Sequence, residues 1–173
     1  MQKEFSKVLK DYFDQEINVN FPQFRKTKYK SIYLFSSETI YTWQITESLN
    51  CFIILSPGLK GGEDFFIEIG WSCKGRFPEL ERPSGRPTQE RTEFDREEFI
   101  CRLDNLWSLH SFGWKFYELD NINDVANFIE KSKTLISVEE AKKIVLPKVD
   151  DVISRLKNYG IPYLSEFLAY RLK

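Results

Sequence analysis

One histidine and three cysteines, with no paired spacing among them, are what this chain offers for proton and thiol chemistry. Histidine is the usual proton carrier near neutral pH, and here it is His110, in Leu109-His110-Ser111. A Ser/His/Asp relay needs a nucleophile fixed beside that ring. Ser108 and Ser111 are its neighbours in sequence only, so the spacing predicts a loop histidine between strands. Cys51, Cys73 and Cys101 are odd in number, widely separated and set among apolar residues. Such cysteines read as buried thiols acting as small hydrophobes, and neither a disulfide framework nor a zinc site has the pairs it would need. A thiol dyad of Cys101 or Cys73 with His110 is the alternative they leave open.

Carboxylates that converge can hydrolyse bonds or hold a metal. Glu63, Asp64 and Glu68 lie near one strand, and Asp120 with Asp124 or Asp150 with Asp151 are further pairs. Helix caps and solvated faces account for most of them, and no compact nuclease-type motif joins them to a lysine. Pro57-Gly58-Leu59-Lys60-Gly61-Gly62 is glycine-rich but lacks the phosphate-loop spacing, and it sits between strands as a hairpin turn would. No cofactor and no metal are expected.

Two basic clusters remain. Arg25, Lys26, Lys28 and Lys30 alternate with Thr27 and Tyr29, a pattern that suits gripping phosphates or stacking a base. Arg76, Arg82, Arg86 and Arg91 lie in a polar stretch interrupted by glutamates. A dedicated nucleic-acid binder carries a basic excess, whereas this chain has a formal charge of -1 over 173 residues. Solvated loops are the favoured account of both clusters.

The elements that position these groups follow from periodicity. Hydrophobic residues make up 42% and charged residues 29%, enough for a real core in one domain spanning 1–173. Phe5, Val8, Leu9, Tyr12 and Phe13 recur at helical spacing, and residues 17 to 28 read as a connection. From 31 to 35 and from 39 to 46 the residues are β-branched and aromatic, and Tyr41, Trp43 and Ile45 alternate with Thr42 and Gln44. Residues 49 to 55 are almost wholly apolar, as in a central strand. Phe65, Ile67, Ile69 and Trp71 alternate with Phe66, Glu68, Gly70 and Ser72. Residues 74 to 96 predict a long polar loop. Residues 99 to 103 fit a strand better than a helix, and 114 to 119 predict another strand. The last third is helical. A helix is capped at Asp120, a second opens on the Ser137/Glu140 capping box with a kink or restart at Pro147, a left-handed cap falls at Gly160, and a terminal helix runs over 163–170. The expected fold is α+β, a mostly antiparallel twisted sheet of five to six strands packed against N-terminal and C-terminal helices.

This order of elements resembles a family of small bacterial proteins known only as a domain of unknown function. The likeness is carried by Asp64-Phe65-Phe66-Ile67-Glu68-Ile69-Gly70, by Cys101-Arg102-Leu103, and by Leu146-Pro147-Lys148-Val149 with Gly160-Ile161-Pro162-Tyr163 downstream. It implies the fold and no assigned activity.

Aromatics reach 16%, and the strands offer more rings than one core face needs. Exposed rings beside charges are typical of protein interfaces, and helices covering both faces of the sheet are the other account of so many rings. The expected function is therefore a non-enzymatic protein-binding accessory factor, such as an immunity-type protein of a bacterial or phage system. Its partner would be met by Tyr41, Trp43, Glu68, Trp71, Arg76, Arg82, Arg86 and Arg102, on a sheet face and the 74–96 loop. A metal-dependent or thiol hydrolase, and a nucleic-acid accessory protein using Arg25, Lys26, Lys28 and Lys30, are the alternatives. The start lacks a signal-peptide core and no run approaches the roughly 18 apolar residues of a membrane span, so a cytoplasmic protein with no membrane partner is expected.

Overall fold

Phe5, Val8, Leu9, Phe13 and Ile17 share one face of helix α1 (Lys3–Asn20) and are buried there. The stripe continues through Ile17, so the helix outlasts the break expected at that residue. It ends where Asn20 Nδ2 donates to the Glu16 carbonyl at 2.9 Å, just ahead of the helix-breaking Pro22. The computed structural model describes residues 3–58, 64–108, 110, 113–116 and 136–173.

Six antiparallel strands follow: β1 (Arg25–Thr27), β2 (Thr39–Gln44), β3 (Asn50–Pro57), β4 (Asp64–Ser72), β5 (Glu98–Arg102) and β6 (Trp114–Lys115). They run in the order β1-β2-β3-β4-β5, with β6 pairing the start of β4. The meander over residues 39–72 is as the alternation predicts. Residues 31 to 35, expected as a strand, instead form turns, and β2 takes Arg25–Thr27 as its partner. The cause is local. Ser31 Oγ accepts the Tyr33 N–H and the Glu38 carboxylate accepts the Phe35 N–H, bonds that compete with a ladder.

The register sorts the side chains into two layers. Tyr41, Ile53, Ile69 and Cys101 face each other across four strands and point to the helices. Ile40, Ile54, Glu68 and Arg102 form the matching row on the opposite face. That second face is covered too, by chain that has no regular structure. Phe77 packs on Ile40, Phe52, Ile54 and Ile100, with Tyr29, Leu34 and Leu80 at the margin. At Gly70, within β4, a side chain cannot stand, because a Cβ would lie 2.0 Å from the Phe99 carbonyl oxygen.

The 74–96 loop is a loop, as expected, but a seated one. Ser84 donates its N–H to the Ile100 carbonyl at 2.8 Å, and its Oγ accepts the Ile100 N–H at 2.9 Å. Thr92–Asp95 closes the segment with a 3₁₀ turn. After β5 a second 3₁₀ turn, Leu103–Leu106, accounts for the helical spacing that competed with the strand reading there.

Helix α2 (Val138–Arg155) opens on the expected capping box, Glu140 N–H to Ser137 Oγ and Ser137 N–H to Glu140 Oε2. It runs through Pro147 without a restart. The left-handed cap expected at Gly160 is corrected. Gly160 has φ -66° and ψ -53°, inside a π turn, Leu156–Gly160, that leads directly into α3 (Ile161–Arg171). The Ile161 N–H reaches back five residues to the Leu156 carbonyl, a wider turn that lets the chain stay helical at Pro162. Space is tight at 160, where a Cβ would stand 3.0 Å from the methyl ends of Leu103 and Leu156.

Trp71 anchors the helix-side core, stacked on Phe167 at 3.9 Å and against Phe99 at 5.0 Å, with its Nε1 donating to the Arg96 carbonyl. The helix expected from Asp120 and the strand residues beyond 116 lie outside the described residues. No helix among the described residues is long and apolar enough to cross a membrane.

Candidate functional site

Arg82 is the joint that holds the two covering loops on the outer sheet face. Its Nη1 donates to Glu68 Oε2 at 2.7 Å and its Nη2 to both oxygens of Glu38, at 2.8 and 2.7 Å. Nε and Nη2 also reach the Tyr33 carbonyl, at 3.2 and 2.8 Å. The Arg82 and Glu38 side chains are each 4% exposed and that of Glu68 is 8% exposed. Burial pushes the Glu68 carboxyl above its ordinary range, while Arg82 pulls it the other way. Ser56 Oγ donates to Glu38 Oε1 at 2.8 Å, so Glu38 is tied to β3 as well.

This joint redistributes the residues expected on a partner surface. Glu68 and Arg82 are consumed by each other. Tyr41 and Trp71 are fully buried under the helices, so neither ring is presented to solvent. Trp43 is half-buried, edge-on to Phe24 at 5.7 Å. Arg102 lies over the Phe66 ring at 4.0 Å. Arg76 pairs with Glu79 and Glu98, and Arg86 is exposed elsewhere on the loop. The bare sheet face is corrected for a plain reason: the alternation was there, but the chain's own loops occupy it.

What the joint holds outward is different. On the segment 28–38, Tyr29 turns in, sharing a hydrogen bond with Thr42 at 3.1 Å and packing on Phe52 and Phe77. That ring is therefore not offered for stacking a base between Lys28 and Lys30. Leu34 also turns in. Ile32 is 91% exposed and Phe35 65% exposed, with Lys28 and Lys30 exposed beside them in sequence. Arg25 and Lys26 are exposed on β1, and Lys26 meets Asp14 at 3.4 Å. No carboxylate lies between Glu16 and Glu38 in the sequence, and the Glu38 side chain is turned inward onto Arg82, 4% exposed.

The thiols and carboxylates singled out in the sequence occupy separate places among the described residues. Burial pushes the Cys51 thiol up to about 12 and the Cys101 thiol well above its ordinary value, so both are held protonated. Cys101 is fully buried whereas His110 is exposed, and Cys73 is partly buried just past the end of β4. The Ser108 hydroxyl bonds to the His110 backbone. Asp150 accepts from Tyr12, and Asp151 from Trp114 Nε1 at 2.8 Å. No group of three or more metal-ligating side chains occurs among the described residues.

Two open clefts lie toward the helix ends. One, of about 370 Å³, is formed by Pro87, Thr88, Gln89 and Arg91 of the long loop against Asn105, Tyr159 and Glu166. The other, of about 400 Å³, is lined by Asp104, Trp107, His110, Lys148, Asp151 and Arg155. Trp107 and Tyr159 pack together at 5.1 Å between them.

Ile32, Phe35, Trp107 and Tyr159 were not among the sequence candidates. The first two read as strand residues, and only their exposure sets them apart. Tyr159 carried a signal in the Gly160-Ile161-Pro162 run beside it, which marks a distorted helix. Comparison of the chain with family profiles, with curated proteins and with solved structures finds no match.

Proposed function

We propose that this chain is a non-enzymatic protein-binding module and that it recognises an acidic surface of another protein through the 28–38 segment. One observation carries the reading: Ile32 and Phe35 are held in solvent by a segment locked from beneath through Arg82, Glu38 and the Tyr33 carbonyl. Large apolar side chains displayed on a fixed segment lose little freedom when a partner covers them, which is how preorganisation adds affinity. Arg25, Lys26, Lys28 and Lys30 add a positive rim that would steer an acidic partner and set its register. An immunity-type role, in which the chain masks an acidic surface of a toxin, is the finer form of this reading.

The test is affinity capture from the native host with cross-linking, using the wild-type chain beside the double variant Ile32→Asp/Phe35→Asp and the charge reversal Lys28→Glu/Lys30→Glu. A partner enriched by the wild type should be lost with the first variant. With the second it should associate more slowly, and the wild-type complex should weaken as salt rises. Identical capture by all three proteins, or recovery of nucleic acid as the bound species, would discard the proposal.

A further inference from the structure

We propose that the 370 Å³ cleft between residues 87–91 and the π turn is a second, separate site, and that it binds a neutral saccharide. Its size sits at the lower end of small-molecule pockets, suited to a compact ligand. Three unusual features converge on it. Arg91, on one wall, has φ 56°, the only positive φ outside glycine among the described residues. The opposite wall is the π turn, Leu156–Gly160, which contributes Asn158 and Tyr159. Between them stands Asn105, whose Oδ1 is buried without a hydrogen-bond partner. Left-handed side-chain-bearing residues and π turns both cost free energy, and both concentrate where a ligand is bound. Packing hides that oxygen from solvent, so it marks strain stored in the cleft wall and is not itself a ligand contact.

The walls are braced from behind, which keeps the shape. Glu93 is 2% exposed and accepts from Tyr163 Oη and Thr88 Oγ, both at 2.8 Å, and from the Thr88 N–H at 3.1 Å. Arg91 donates to the Thr88 carbonyl at 2.7 Å and lies over the Tyr163 ring at 5.2 Å.

The lining selects the ligand class. Its ionic groups, Arg91 and Glu166, pair with each other at 3.1 Å, so the cleft has little net charge with which to prefer an anion or a cation. What remains is mixed in character: the side-chain amides of Gln89 and Asn158 carry donors and acceptors together, the Asn158 Nδ2 also reaching Ser154 Oγ at 3.4 Å. Tyr159, 37% exposed and backed by Trp107, gives an apolar platform. A sugar ring presents the complement, hydroxyls that both donate and accept around an apolar C–H face. The neighbouring cleft, with Lys115, Lys148 and Arg155 facing Asp104 and Asp151, is far more charged and does not share this chemistry.

The experiment titrates the full ¹⁵N-labelled chain with glucose, galactose, mannose, N-acetylglucosamine and their common disaccharides, each to its solubility limit. At least one should shift the amide signals of residues 88–91, 105–107 and 158–160. Tyr159→Ala should weaken that binding about tenfold, the loss of one good contact, while Tyr159→Phe should keep most of it. Unchanged circular dichroism will show that both variants fold. Silence with every sugar, shifts unaffected by Tyr159→Ala, or a response to blocked tripeptides in place of sugars would each overturn the proposal. None of these outcomes bears on the 28–38 segment.

Discussion

Glu38 and Glu68 are two carboxylates served by one buried guanidinium, and a residue in that position cannot be removed cheaply. Deleting one partner of a buried ionic group leaves the other charge without compensation, at a cost of about 3–5 kcal/mol. Arg82→Met should lower unfolding free energy by about that amount at neutral pH, read by urea denaturation. The pH dependence has a definite sign. Burial raises the Glu68 carboxyl, so the folded state keeps a proton there that the unfolded chain has already released. Where the folded state binds more protons, stability falls as pH rises. The Arg82→Met penalty should therefore shrink as pH is lowered from neutral toward the ordinary carboxylate range, because a protonated Glu68 needs no counter-charge. A penalty that stays constant across that range would contradict the assignment. Gly70 offers a second test at this scale: with no room for a Cβ beside Phe99, Gly70→Ala should destabilise by roughly 3 kcal/mol, the upper range for overpacking. Thiol chemistry offers a third. Cys73 is only partly buried, so it should alkylate first, and Cys51 and Cys101 only after unfolding, as counted by mass spectrometry.

Among the elements, those whose formation is local were legible in advance. The apolar face of α1, the alternation of β2 and β4, and the Ser137/Glu140 box are each set by a few neighbouring residues. Ser137→Ala should cost about 1 kcal/mol of stability, and adding Glu140→Ala should cost little more, because the two side chains close one reciprocal cap. The elements misread were those decided at a distance or by a glycine's second use. Residues 31–35 have strand composition, yet hydrogen bonds from Ser31 and Glu38 fold them into turns. Gly160 suggested a positive φ, but its φ is -66° and the methyl ends of Leu103 and Leu156 pack close to it. That loops and not helices cover the outer face of the sheet could not be read in advance, because the cover depends on Arg82 finding Glu38, 44 positions away, which no periodicity records. In the same way the lysines of the 28–38 segment could be noted from their order, whereas the exposure of Ile32 and Phe35 could not.

For the molecule as a whole, the separation of roles is the useful point. Helices cover one sheet face, loops the other, and the displayed side chains belong to neither core. Ile32→Asp/Phe35→Asp should thus leave thermal or urea stability within about 0.5 kcal/mol of wild type, as for surface substitutions generally. Loss of partner capture without loss of stability would separate recognition from folding. A large destabilisation would mean that these two residues serve the interior after all.

The paired bonds between Ser84 and Ile100 reach beyond the loop they fasten. A terminal strand with unanswered amides is a template on which further copies can stack into fibrils. Here β5 has its middle residue answered in both directions by one serine, and the far border of the sheet is a three-residue strand bearing Arg25 and Lys26, whose like charges repel a second copy. So aromatic a β-meander would otherwise be prone to templated growth, and its resistance should be sensitive to Ser84. Ser84→Pro should bring thioflavin-positive material at concentrations where the parent chain stays clear.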